Sequence, residues 1–491
     1  TIVGFSEGSM LVGQFFLIAS SLYAMFAALR DDRRVLMVSM IFASFAVFNT
    51  FNVAIRLNNL LVDFLLPALA LAAIAGCFVY RNRFWFLSLN TAVILGLLSI
   101  VKVSGFFFVA LVLVVYVVCI VRLLVRKRAH LKALVLLIMT LLVSCLPFVI
   151  WQKHVTDNFP NASSAKHAVS MSELGQVLTG NLSGVPQKII TLFVKSVFTF
   201  DSLASNGILI INLIMLIAFI VIGIRLKYKK FVLLTWGFVD ISIVTYYIGI
   251  LLMYLTAMPT DEALELAGFE RYASSIVIFA FGCLTMALAW VMDKGLYEKI
   301  ISKRNARSYK SLFNKRLYQY ASLVLTVYAI GMFLSENNGI VYNNNQETNE
   351  VAKEIRQFTG SQSNSSTDRI LVVTADKKNV DNYFAQYASR YYLWDVNVDA
   401  RENFVSVDQK FLDLMASYSD SATSYYLSNK NINTRDNSNL TDDDFIALLK
   451  TYDEVLILDD HYTFNTLTKK LFGQTYSPGL YKVSDILAGK G

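Results

Sequence analysis

Ten long apolar stretches fill residues 9 to 335, and a polar tail of about 156 residues follows them. A helix needs about 20 apolar residues to cross a bilayer. The pattern predicts spans near 9–29, 35–52, 60–80, 84–101, 105–121, 133–151, 207–224, 231–257, 272–292 and 318–335. Lys102, Ser104 and Gly105 interrupt 84–121, which reads as two spans or as one broken unit. Two outer connections are longer than the rest. Residues 152–206 include a stretch, 186–200, with apolar groups at helical spacing (Ile189, Ile190, Phe193, Val194, Val197), suited to lying flat at an interface. The second, 258–271 (MPTDEALELAGFER), carries four carboxylates and closes with Arg271 at the mouth of a span.

The tail alternates strand and helix signals. RILVVT (369–374), YYLWDVNV (391–398), EVLILD (454–459) and GLYKV (479–483) read as strands. Helices are expected over 346–358, 377–389, 442–451 with Thr441 as its cap, and 462–472. Residues 360–367 and 429–441 read as exposed loops. The fold class expected is a polytopic α-helical membrane protein of about ten spans. A largely parallel α/β domain completes it, with the division at 1–335 and 336–491.

Charge orients the chain. The loops at every second turn hold 22 Lys and Arg residues, among them Arg81, Arg83, Arg122 and Arg126; the opposite loops hold seven. The positive-inside rule places the first set in the cytoplasm. The tail and the long loops are then extracytoplasmic, in a multi-pass protein of the cell membrane. The net charge of +8 therefore carries topology and gives no argument for a nucleic-acid partner. From Glu336 onward the chain is net acidic, with 22 carboxylates against 15 basic residues. All four cysteines lie in apolar spans, so no disulfide is expected in the tail. No metal-ligand cluster and no cofactor motif is evident, and neither GxGxxG nor GxxxxGK[ST] occurs. The chain starts at Thr1 and reads as a piece of a longer protein whose amino terminus is missing.

Ionisable groups in spans are costly and commonly mark function. Asp63, Lys102, Glu270 and Arg271 fall near the outer ends of spans, Arg56 and His167 fall in outer loops, and Asp240 alone lies near mid-membrane. Plainer readings stand beside each. Lys102 and Arg56 serve as interface anchors, Asp63 packs or starts a helix, Asp240 is a structural partner of a neighbouring helix, His167 is an ordinary loop residue, and Glu270 pairs with Arg271. Arginine suits a phosphate because its planar fork gives two parallel bonds. The outer-rim grouping therefore points to an anionic lipid headgroup.

The run GFERYASS, Gly268 to Ser275, with its acidic-Arg-Tyr triplet at the outer entrance of a late span, resembles the GT-C-type integral membrane glycosyltransferases. The many-span core, the KVSG segment (Lys102 to Gly105) and the carboxy-terminal α/β domain are similar in kind. The tail's ending, YDEVLILDDHYTFNTLTKKLFGQTYSPGLYKV, is similar to tails of large Gram-positive bacterial members. The resemblance implies a transferase that takes a sugar from a polyprenyl-phosphate donor. Its acceptor would be a cell-surface glycan, a teichoic acid or a lipid-linked acceptor at the outer face. It implies a carboxylate base in the first outer loop, here preceding Thr1, with Glu7 the nearest remaining carboxylate. Arg271, with Lys102 and Arg56 as helpers, would bind the donor phosphate. Glu270, Tyr272, His167 and Asp63 would support them, and a divalent cation is compatible with the chemistry. Rival readings are a polymerase of lipid-linked repeats and a transporter or flippase of lipid-linked precursors. Transport calls for polar groups near the midplane.

Overall fold

The computed structural model describes residues 7–29, 35–52, 61–127, 130–158, 184–224, 228–295, 309 and 311–346. In the tail it describes 368–374, 382–393, 397–400, 407–408, 434–435, 441–458 and 460–489, with a few single positions. The chain divides into two compact units, Thr1–Ile340 and Val341–Gly491.

The first unit is helical. Its elements are α1 (Glu7–Ala24), a 3₁₀ turn (Met25–Ala28), α2 (Val35–Thr50), α3 (Leu65–Tyr80), α4 (Phe84–Val101), α5 (Gly105–Lys127) and α6 (His130–Asn158). They continue with α7 (Val185–Val197), α8 (Leu203–Ala218, prolonged by a π turn Phe219–Ile224), α9 (Lys229–Thr256), α10 (Thr260–Leu264), α11 (Phe269–Gly295) and α12 (Leu312–Gln346). Every predicted apolar stretch falls on a helix. Eight of these helices are long and apolar enough to cross a membrane. Of the roughly ten spans expected, the remaining two coincide with α2 and α3, which are apolar but only 16 residues each. At 1.5 Å per residue they fall short of the roughly 30 Å hydrocarbon thickness. The break in 84–121 is real. α4 ends at Val101, Lys102 is extended, and α5 starts at Gly105. A Cβ on Gly105 would overlap the carbonyl oxygen of Leu98, so the close turn needs glycine there. The segment 186–200 is helical through Val197, as α7, with Ile189 and Phe193 buried.

α3 and α11 are the core. Thirteen residues of α3 are buried, many of them alanine. Between membrane helices the hydrophobic effect gives little drive, so close packing by small residues and polar bonds does the work. Three such bonds hold α12 to α2. The Leu36 N–H donates to the Tyr318 hydroxyl at 3.3 Å, Ser39 and Thr326 share a bond of 2.8 Å, and Asn49 donates to Glu336 at 2.5 Å. The Tyr116 hydroxyl of α5 joins Ser88 of α4 at 2.8 Å and Thr140 of α6 at 2.9 Å.

The second unit holds a four-stranded sheet in the order β2-β1-β5-β6, with β1 (Ile370–Val373), β2 (Val398–Ala400), β5 (Glu454–Ile457) and β6 (Gly479–Lys482). β2, β1 and β5 are parallel; β6 runs antiparallel to β5. Alternate residues feed two cores, so both faces are covered and the strands read as continuous apolar runs. Ile370, Val372 and Leu456 face Ala385 and Leu393, whereas Leu371, Val455 and Ile457 face Phe445 and Phe464. The helices are α13 (Asn382–Leu393), α14 (Asp442–Leu449), α15 (Tyr462–Phe472) and α16 (Val483–Leu487). Thr441 caps α14, its side chain accepting from the Asp444 N–H at 3.2 Å.

Two tail expectations change. The strand expected over 391–398 is helix through Leu393, and β2 starts only at Val398. Ala385, Ser389 and Leu393 are buried at helical spacing, and that period of four overrides the strand preference of the tyrosines. Within the loop expected at 429–441, Thr434–Arg435 forms β4, parallel to β3 (Val407–Asp408). Most of the helix expected over 346–358 and the whole loop 360–367 lie outside the described residues.

Burial and the neighbouring Asp368 carboxylate push the Glu454 carboxyl above its ordinary range. A raised folded value means that the charged form costs stability. The cost is absent below the ordinary value of about 4.3 and present at higher pH. Glu454→Gln is therefore expected to increase hydrogen-exchange protection of the β5 amides over the parent at pH 8, with no gain at pH 4. An equal gain at both would contradict this account.

Candidate functional site

Four of the side chains singled out in the sequence come together where α3 and α11 begin and α4 ends. Asp63 sits in the turn before α3 and is 4% exposed. Its Oδ1 accepts from Lys102 Nζ at 2.7 Å. Its Oδ2 lies 3.5 Å from Arg271 Nε, and neither of these two buried atoms has a hydrogen-bond partner. Lys102 and Arg271 keep about a third of their side-chain surface open, at 33% and 29%. The Tyr272 ring packs against both cations, with Lys102 Nζ 4.9 Å and Arg271 Cζ 4.8 Å from its centroid. Arg271 Nη2 donates to the Tyr272 hydroxyl at 2.9 Å. One buried carboxylate thus holds two half-open cations against one aromatic face, and the three charges sum to +1.

The motif Gly268–Ser275 builds this geometry residue by residue. Leu266 and Gly268 have positive φ, 49° and 75°, and the turn they form starts α11. A Cβ on Gly268 would press on Tyr272 and on Arg271 Nη2, at 3.2 and 3.4 Å. The Tyr254 hydroxyl of α9 donates to the Ala267 carbonyl at 2.9 Å and fixes the turn. Phe269 packs on Phe193 and Tyr247. Ser275 Oγ donates to the Asp63 carbonyl at 3.1 Å, locking α11 to the start of α3.

Glu270 is not the partner of Arg271. Its carboxylate accepts the Ala204 N–H at 3.1 Å, in the first turn of α8, where the helix dipole favours an anion. Lys102 is held by the same carboxylate as Arg271 and, like it, stays half-open. Asp63 does not cap α3, whose N-cap is Phe64 without a side-chain bond. Glu7 is the first residue of α1, and its side chain lies outside the described residues, as do Arg56 and His167. Two turns along α1, Gln14 donates to the Leu61 carbonyl at 3.1 Å, beside Asp63 in sequence. Asp240 of α9 has a buried Oδ1 without a hydrogen-bond partner, near the Trp236–Asn212 bond of 2.8 Å. Ser275 and Tyr254 were missed in the sequence, since a hydroxyl within an apolar helix carries no signal of its target.

Among the described residues no group of three or more His, Cys, Asp or Glu could hold a metal ion. In the tail unit a cavity of about 730 Å³ opens beside α15, lined by Asp460, Asn465, Lys469 and Tyr476. Comparison with family models, with curated proteins and with solved structures gave no match.

An exposed ion pair is worth at most about 1 kcal/mol, and breaking a buried one costs about 3–5 kcal/mol. Asp63→Ala is expected to fall between these limits in detergent unfolding. Combined with Lys102→Ala it should cost less than the two changes added, because the residues are partners. Strict additivity would show that they do not interact.

Proposed function

We propose that this protein is a membrane glycosyltransferase. It moves a sugar from a polyprenyl-phosphate donor to a cell-surface glycan, teichoic acid or lipid-linked acceptor at the outer face. The observation that carries the reading is the pair of half-open cations, Lys102 and Arg271, held on Asp63 at the ends of apolar helices. A lipid-borne phosphate lies at that depth in a leaflet, and a cation fixed by a buried carboxylate need not reorganise to meet it.

In this reading a carboxylate takes the proton of the acceptor hydroxyl while its oxygen attacks the anomeric carbon. The bond from that carbon to the phosphate oxygen breaks, and the lipid phosphate leaves with the electron pair. Arg271 turns its outer N–H groups to the departing charge, and Lys102 adds a second cation. Asp63 orients both; salt-bridged and 4% exposed, it is poorly placed as the base. In this reading the base is Glu7. The tail and the long loop 152–206 then lie on the acceptor's side.

The test is sugar transfer from polyprenyl-phosphate donor in membranes. Loss of one donor to developing charge costs about 10²–10³ in turnover. Arg271→Ala is expected to fall by that order at normal protein level, and Arg271→Lys to recover only part, because ammonium lacks the planar fork. Unchanged transfer by Arg271→Ala would remove it from the mechanism. The transport reading has one observation in its favour, the unpartnered buried oxygen of Asp240. Loss of precursor flux without loss of transfer in Asp240→Asn would favour it.

A further inference from the structure

A second feature of the membrane unit lies away from the Asp63 cluster. A cavity of about 400 Å³ sits between α3, α5, α9 and α11. Its walls are apolar, including Phe78, Phe238, Met286 and Trp290; Arg81 and Arg122 also line it. Val118 and Leu234, two further wall residues, are 62% and 74% exposed on the unit's outer surface, so the cavity opens sideways where lipid would lie. Arg81 closes α3 and donates to the Phe78 carbonyl; Arg122 is exposed near the end of α5. Among the described residues neither arginine forms an ion pair with a carboxylate. Trp290 stands near the end of α11, and tryptophan at the headgroup level marks the interface.

We infer that this cavity is a binding site for a negatively charged phospholipid of the basic-loop leaflet. One acyl chain enters between α5 and α9, and the phosphate lies on Arg81 and Arg122. The volume is within the range of ligand pockets, about 300–1,000 Å³. Two guanidinium groups at the rim of an apolar slot suit an anion that carries a hydrocarbon chain. Basic pockets between membrane helices on the cytoplasmic side recognise such headgroups. The neutral wall selects the chain, and the arginines select the charge. Lipid held here braces α3, whose other end follows the Asp63 turn, but the site does not depend on the transferase reading.

Full-length protein in non-ionic detergent would be incubated with phosphatidylglycerol, phosphatidylcholine or diacylglycerol of matched chains. Retained lipid is read by native mass spectrometry, and stabilisation by thermal unfolding. The parent is expected to retain phosphatidylglycerol roughly tenfold more strongly than the other two, because diacylglycerol has no phosphate to bond and the choline cation of phosphatidylcholine is repelled by the two arginines. Arg81→Gln with Arg122→Gln should abolish that preference. Ala287→Phe, which fills the slot from α11 and leaves the arginines intact, should lower retention of phosphatidylglycerol. Equal retention of the three lipids by the parent, or a preference unchanged in the double glutamine variant, would overturn the inference. If the double variant fails to fold, retention unaffected by Ala287→Phe would overturn it as well.

Discussion

The site depends on one buried carboxylate. Asp63 is 4% exposed and holds Lys102 at 2.7 Å with Arg271 at 3.5 Å. An isolated charge in such a place is prohibitive, so the aspartate stays only because cations come to it. Those cations arrive from two different helix ends, so the carboxylate ties the end of α4 to the start of α11. Both cations stay partly open, so the interaction that organises the fold also presents positive charge at a surface. Tyr272 completes the arrangement by giving each cation an aromatic face.

The helices that carry this cluster are the two most enclosed in the unit. α3 is short for a bilayer, and its burial among neighbours explains how 16 residues suffice as a core element. α11 is lined with small and aromatic groups and is bolted to α3 by Ser275 and to α8 by Glu270. Rigid supports of this kind hold a charged group in one geometry at little entropic cost on ligand binding. The same logic applies at the other end of α3, where Arg81 lines the second cavity.

Much of this was legible in the sequence, and the reasons differ by region. Apolar length gave the helices, because a membrane core demands satisfied backbones and therefore helices. Lys102 and Gly105 marked the break between α4 and α5, since a charge and a glycine both oppose a continuous span. The identities of the site residues followed from the cost of charge in apolar runs. Their partners did not follow, because Asp63 and Arg271 are separated by about 200 positions and pairing is a tertiary fact. Glu270 shows the limit most clearly. Its neighbour in sequence is Arg271, yet helix geometry points it elsewhere, to the start of α8. In the tail, Tyr391 and Tyr392 suggested a strand, and only the buried period Ala385, Ser389, Leu393 reveals the helix.

In the proposed reading the Asp63 cluster receives a lipid-borne phosphate. Photo-crosslinking tests it most directly. A polyprenyl phosphate with a diazirine near its headgroup, irradiated with the full chain in membranes, is expected to label peptides from the Lys102 turn and the first turns of α11. Label confined to the Arg81 and Arg122 cavity or to the tail, with none at these peptides, would contradict it.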